Sequence, residues 1–201
     1  MNIDLVLEIS SVISSLIFLY FLMKENKCCW IFGIISSFLS VVFFYRLGLL
    51  NESLLYYFYA LMGFYGFYKW NSEAESSLKI KSIVAPLKHG LWILSGLLLA
   101  GILFYFTPWM INGLFENPPE RNDSLFKKSY DALTTSFGFI ATFLEAFKIL
   151  QAWIYWIVLN GLSIGLYLSS GAYIYALLMV VFFVFSFIGY FAWRKKVEQL
   201  Q

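Results

Sequence analysis

Tryptophans and glycines recur along this chain at a constant offset of 123 residues: Trp30 with Trp153, Gly48 with Gly171, Gly66 with Gly189 and Trp70 with Trp193. Glu8 and Asp131 extend the series, each an acid placed early in an apolar stretch. The hydropathy on either side matches as well, so the fold of the first third must be built again in the last third. Two similar halves in a short polytopic chain are the architecture of a small transporter.

Composition places those halves in lipid. Hydrophobic residues make up 61% of the 201 and charged residues 13%, with a mean hydropathy of +0.75. A soluble chain carries about 25% charged residues, and no single core could hide this much apolar surface. Aromatics reach 21%. Interfacial belts account for some of them, and the excess suggests an aromatic-lined cavity. A net charge of +2 gives no case for nucleic acid as a partner. Cys28 and Cys29 are adjacent and lack the spacing of a redox or metal pair. His89 stands without partners, and no metal, nucleophile-elbow or phosphate-cradling motif appears, so neither a cofactor nor a metal is expected. The first residues are acidic rather than basic, unlike a secretory leader.

A span needs about 20 mostly apolar residues. Seven stretches qualify: 3–23, 28–46, 53–70, 88–108, 131–148, 152–170 and 172–193. Alternate loops then carry ten basic residues on one side (Lys24, Lys27, Lys69, Lys79, Lys81, Lys88, Lys148, Arg194, Lys195 and Lys196) and four on the other (Arg46, Arg121, Lys127 and Lys128). The richer side belongs in the cytoplasm, with the N-terminus outside and the C-terminus inside. Spans 1–3 repeat as spans 5–7, and a shift of four spans preserves direction, so the halves are parallel repeats. The expected fold is an all-α membrane protein of seven helices in a three-plus-one-plus-three arrangement. Its parts are a first repeat at 1–70, a linker and connector helix at 71–110, an outer loop at 111–130, and a second repeat with a short tail at 131–201.

Trp153, Trp156 and Asn160 form the sharpest cluster, since spacings of three and four put them on one helical face. An amide inside a bilayer is costly unless satisfied, so Asn160 should face the protein interior. Two indoles beside an amide suit a flat heterocycle; the same spacing also suits belt residues beside a helix–helix hydrogen bond. Tyr65 and Trp70 close the third span, with Tyr56 deepening the aromatic wall, and Tyr167 near an outer end is placed as a gate or belt residue. Asp131, Thr134 and Thr135 open the fifth span, where an acid complements the helix dipole; the threonines either reach a ligand hydroxyl or bond back to their own helix. Glu145 and Lys148 are three apart and positioned to pair.

Together these segments resemble the PnuC family of bacterial vitamin transporters. The resemblance runs from about Val6 to Lys196. It rests on Trp30-x-x-Gly33-Ile34-Ile35, Gly48-Leu49 and Tyr65-Gly66-Phe67-Tyr68-x-Trp70 in the first half. In the second half it rests on Asp131-Ala132-Leu133-Thr134-Thr135, Lys148-x-x-x-x-Trp153-x-x-Trp156-x-x-x-Asn160, Tyr167, and Gly189-Tyr190-x-x-Trp193. The chain departs from the family at Phe67, where many relatives have Trp, at Tyr56, where the nicotinamide riboside type has Gln, and at Ala152, where Asn is common.

The resemblance implies a SWEET-like helix arrangement in the bacterial inner membrane. It implies import of an unphosphorylated vitamin by facilitated diffusion, with nicotinamide riboside first and thiamine or riboflavin as alternatives. A cytoplasmic kinase would trap the product, and the family suggests assembly as a homo-oligomer. Substrate-binding residues would be Trp153, Trp156, Asn160, Tyr56, Tyr65, Trp70, Thr134, Thr135 and Tyr167. Physics favours a cationic ring, because stacking on an indole or phenol contributes about 0.5–1.5 kcal/mol and a desolvated cation–π contact about 2 kcal/mol. Two other classes compete: an intramembrane thiol oxidoreductase built on Cys28 or Cys29, and a non-transporting scaffold that would contact partners through 112–130.

Overall fold

The computed structural model describes residues 3–47, 50–72, 80–82, 86–114, 125–169 and 171–198. Seven helices follow in order: α1 (Ile3–Met23), α2 (Cys29–Arg46), α3 (Leu50–Ser72), α4 (Pro86–Leu114), α5 (Leu125–Ala146), α6 (Ala152–Ser169) and α7 (Tyr173–Glu198). Among the described residues, five are long and apolar enough to cross a membrane: α1, α2, Leu87–Phe106 within α4, α6 and α7. α3 and α5 have the length, at 23 and 22 residues, but carry acids, hydroxyls and tyrosines that dilute their apolar character. Glu52, Ser53 and Tyr56 of α3 and Asp131, Thr134, Thr142 and Glu145 of α5 are buried, while Tyr57, Tyr65 and Tyr68 face outward.

α4 and α5 overrun the apolar stretches that define them in the sequence. α4 continues to Leu114 and α5 begins at Leu125, so both ends of the expected outer loop are helical. Asp131 therefore sits in the second turn of α5 instead of opening it. Gly48 of the repeat, and Pro118 and Pro119 of the outer loop, lie outside the described residues.

Six helices close a ring. α1 packs on α2, α2 on α3, α3 on α5, α5 on α6, α6 on α7 and α7 back on α1, while α4 packs on α5. Exchanging the two repeats maps this contact order onto itself, which fits the three-plus-one-plus-three arrangement. The C-terminal ends of α1, α3, α5 and α7 meet at one end of the ring. There Trp70 Nε1 donates to the Ala146 carbonyl at 3.0 Å, and Lys148 and Lys196 both donate to the Glu25 carboxylate. At the opposite end Arg46 pairs with Asp4, and Ser53 Oγ donates to the Val41 carbonyl at 3.0 Å. The odd-numbered helices thus run one way and the halves are parallel.

The repeat holds down to single contacts. Trp30 meets Trp70 edge-on at 5.5 Å and 89°; Trp153 meets Trp193 at 5.4 Å and 90°. A Cβ added at Gly66 would collide with the Trp30 ring, and one added at Gly189 with the Trp153 ring. Each glycine exists so that a helix can lie flat on an indole.

The turns after α1 and α5 repeat bond for bond. Glu25 N–H donates to the Leu22 carbonyl and Asn26 N–H to Phe21, both at 2.9 Å, while Lys148 N–H donates to Glu145 and Ile149 N–H to Leu144, again at 2.9 Å. This pattern closes a helix through a left-handed residue, and Glu25 and Lys148 supply it at φ 55° and 52°. The linker joins the second turn through Lys81, whose N–H donates to the Lys148 carbonyl at 3.0 Å and whose carbonyl accepts from Leu150 N–H at 2.8 Å.

Candidate functional site

A cavity of about 120 Å³ lies within the ring, lined by residues of all six ring helices and none of α4. Two aromatic clusters bound it. One surrounds Trp30, Trp70, Trp153 and Trp193 at the end where the odd helices finish. The other gathers Phe43, Phe44, Tyr56, Tyr167 and Tyr175 at the opposite end.

Six of the nine sequence-expected residues line the cavity: Trp153, Trp156, Asn160, Tyr56, Thr134 and Tyr167. Asn160 is buried and its Nδ2 donates to Ser186 Oγ of α7 at 3.1 Å, which leaves its carbonyl oxygen available. Trp153 is only 2% exposed and its ring is held by Trp193 and Gly189, so it is as much framework as wall. Tyr56 and Tyr167 hydroxyls bond each other, and both rings stack with Phe44, at 5.2 and 5.4 Å. Thr134 spends its hydroxyl hydrogen on its own helix, at the Tyr130 and Asp131 carbonyls.

The other three lie elsewhere. Tyr65 is 40% exposed and leans on Phe147. Trp70 packs behind Trp30, with Lys148 Nζ 4.5 Å above its ring. Thr135 is buried outside the cavity lining with its hydroxyl unpartnered.

Two carboxylates join the lining that the sequence did not single out for it, Glu52 and Glu145. The expected Glu145–Lys148 side-chain pair does not form. α5 ends between them and the chain reverses at Lys148, which sends its ammonium to Glu25 Oε2 at 3.0 Å. Glu145 instead turns inward, 3% exposed, and accepts a hydrogen bond from Trp156 Nε1 at 2.7 Å. Tyr59 stands between the two acids, bonded to Thr142 and edge-on to Trp156 at 6.0 Å. Among the described lining residues there is no Lys, Arg or His. The sequence signal for Glu145 was its place near the end of an otherwise apolar helix face; the nearby lysine concealed it.

Where the repeats agree they hold the ring together, and Trp30 and Trp153 also line the cavity. Much of the lining nevertheless differs between the halves: Glu145 stands opposite Leu22, Trp156 opposite Gly33, Asn160 opposite Ser37, Ser186 opposite Gly63 and Tyr56 opposite Met179. Glu8 and Asp131 follow a third pattern, because Glu8 accepts from the Ile174 and Tyr175 N–H groups and so caps α7 of the other repeat.

Known proteins share both the sequence and the shape. The chain is 23% identical over 191 residues to the nicotinamide riboside transporter PnuC of Escherichia coli (strain K12), a match covering 87% of this chain and 79% of that protein. The same figures hold for the nicotinamide riboside transporter PnuC of Shigella flexneri. Its fold matches the crystal structure of the vitamin B3 transporter PnuC with a TM-score of 0.79 at 21% identity, over 98% of this chain and 84% of that one. The family described as nicotinamide mononucleotide transporter matches residues 5–195, so a ring of six helices around an aromatic, acidic cavity belongs here to a multi-pass membrane protein of the nicotinamide mononucleotide transporter family.

Proposed function

We propose that this protein carries nicotinamide riboside across the bacterial inner membrane by facilitated diffusion, and that a cytoplasmic kinase traps it. One observation carries the reading: the cavity offers aromatic faces and two carboxylates but no basic side chain among its described lining residues. Nicotinamide riboside has a permanently cationic pyridinium ring. Indole and phenol faces attract such a ring, and buried acids offset its charge. The family description names the mononucleotide and the relatives' names the riboside; the phosphate decides between them. A phosphate brings close to two negative charges at neutral pH, and desolvating them in this cavity without a cation would be prohibitive.

Trp153, Trp156, Asn160, Tyr56, Thr134 and Tyr167 are the binding residues by their place on the wall. The end that gathers Glu25, Lys148 and Lys196 is the cytoplasmic one, by the excess of basic residues there. Thiamine shares the cationic heterocycle and is the second reading.

The test is a thermal-shift series in detergent with nicotinamide riboside, nicotinamide mononucleotide, thiamine and riboflavin. A ligand that binds only the folded state raises apparent stability, by about 2.7 kcal/mol at a hundredfold excess over Kd. A saturable shift with the riboside and none with the mononucleotide is expected. A shift with the mononucleotide of equal size refutes the selection; a shift with thiamine alone reassigns the vitamin.

A further inference from the structure

Glu145 is a buried carboxylate whose side chain is met by an indole N–H and by no cation among the described residues. Inside a membrane such a group is costly and calls for a reason. The repeat shows that the fold does not supply one. At the equivalent place in the first half stands Leu22, 2% exposed and lining the same cavity, at the end of an equivalent helix and before an equivalent turn. A leucine therefore satisfies this corner.

The bulk of Trp156 has a packing explanation and the charge of Glu145 has none. In the first half Phe18 fills the space beside Gly33, its Cδ2 3.0 Å from where a Cβ would stand. In the second half the sizes are exchanged, with Ala141 small and Trp156 large. Each half thus carries one large ring and one small residue at this pair of positions. The carboxylate is the addition.

We infer that Glu145 determines charge selectivity: its carboxylate is the counter-ion for a positively charged aromatic ring held against Trp156. The inference rests on the transporter reading above, but not on which vitamin is carried. The Trp156 hydrogen bond fixes the carboxylate beside the stacking face, so that a cationic ring gains both the π-face and the charge. A neutral ring of the same shape gains only the face.

Glu145→Gln separates these roles, because the Gln carbonyl oxygen still accepts from Trp156 while the charge is gone. Wild type and variant are titrated in detergent, following Trp fluorescence, with two pairs that differ in ring charge: nicotinamide riboside against its neutral dihydro form, and 1-methylnicotinamide against nicotinamide. The wild type is expected to prefer the cation of each pair by about tenfold or more, equivalent to about 1.4 kcal/mol. Glu145→Gln is expected to bring the ratio of the two affinities near one.

A wild-type protein with no cation preference overturns the inference, whether or not the variant folds. A variant that keeps the preference overturns it too. If the wild type binds neither riboside form but prefers 1-methylnicotinamide over nicotinamide, the riboside assignment falls and the role of Glu145 stands.

Discussion

Glu25 and Lys148 occupy the same position of the two repeats, adopt the same left-handed backbone, and bind each other across the ring, Nζ to Oε2, at 3.0 Å. Lys196 at the end of α7 donates to the other oxygen of the same carboxylate. The carboxyl of Glu25 sits below its ordinary range: burial pushes it up, but the hydrogen bonds from Lys196 and Lys148 outweigh burial. A lowered folded value means that the contribution to stability is complete above the ordinary glutamate pKa and is lost as pH falls through the folded one. Tm in detergent should therefore hold from neutral pH to about 5 and fall below that, with a shallower fall in Glu25→Gln. Glu25→Lys should cost about 1.5–3 kcal/mol, and adding Lys148→Glu should restore part of it.

Gly66 and Gly189 have a shared and specific cost. Replacing either by Ala drives a Cβ into an indole, and overpacking of this kind costs about 1–3 kcal/mol. Gly101 has nothing within 4 Å of an added Cβ, so Gly101→Ala should be neutral or slightly stabilising through helix propensity. Thermal melting of the three single variants in one detergent checks this order.

Trp156→Ala and Asn160→Ala should abolish most uptake into vesicles while the protein still folds and inserts. Tyr65→Ala, on the outer surface of the ring, should transport like the wild type. Trp153→Ala should reduce the folded yield, because Trp193 and Gly189 pack directly on that ring. Transport that survives in both Trp156→Ala and Asn160→Ala would remove α6 from the site.

Tyr175 ties α7 to the first repeat. It is fully buried, and its hydroxyl is bonded to Ser11 Oγ at 2.5 Å and Ser40 Oγ at 2.6 Å. Tyr175→Phe should leave two buried serines short of a partner and cost about 1–3 kcal/mol, or about 2–4 °C of Tm per kcal/mol for a chain of this size. The melting curve should shift without loss of cooperativity.

Helix number and repeat spacing were legible because they depend on local apolar runs and on a constant offset. Residues 3–23 agree with α1 to the residue, since Lys24 and the turn at Glu25 stop it. The start of α5 was not legible: Leu125 to Tyr130 read as loop because of their charges, yet no glycine or proline interrupts them and the helix simply extends beyond the apolar stretch. Helical spacing put Trp156 and Asn160 on one face, and both line the cavity. Glu145 was misread because pairing within a helix can be seen in a sequence, whereas the partner that takes Lys148 away lies 123 residues off. Trp70 and Trp153 are both tryptophans of the repeat, and only packing distinguishes a wall from the frame behind it.

Two separate copies of a three-helix unit, related by a true two-fold axis, must place each residue opposite itself. At the Glu25–Lys148 contact that would set carboxylate against carboxylate or ammonium against ammonium. Joining the units into one chain releases each position from its twin. One half can then keep Leu22 where the other carries Glu145, and the axis can hold an attraction instead of a repulsion. The covalent link thus does more than tether the halves: it also ensures that a half meets its complement and never its own copy.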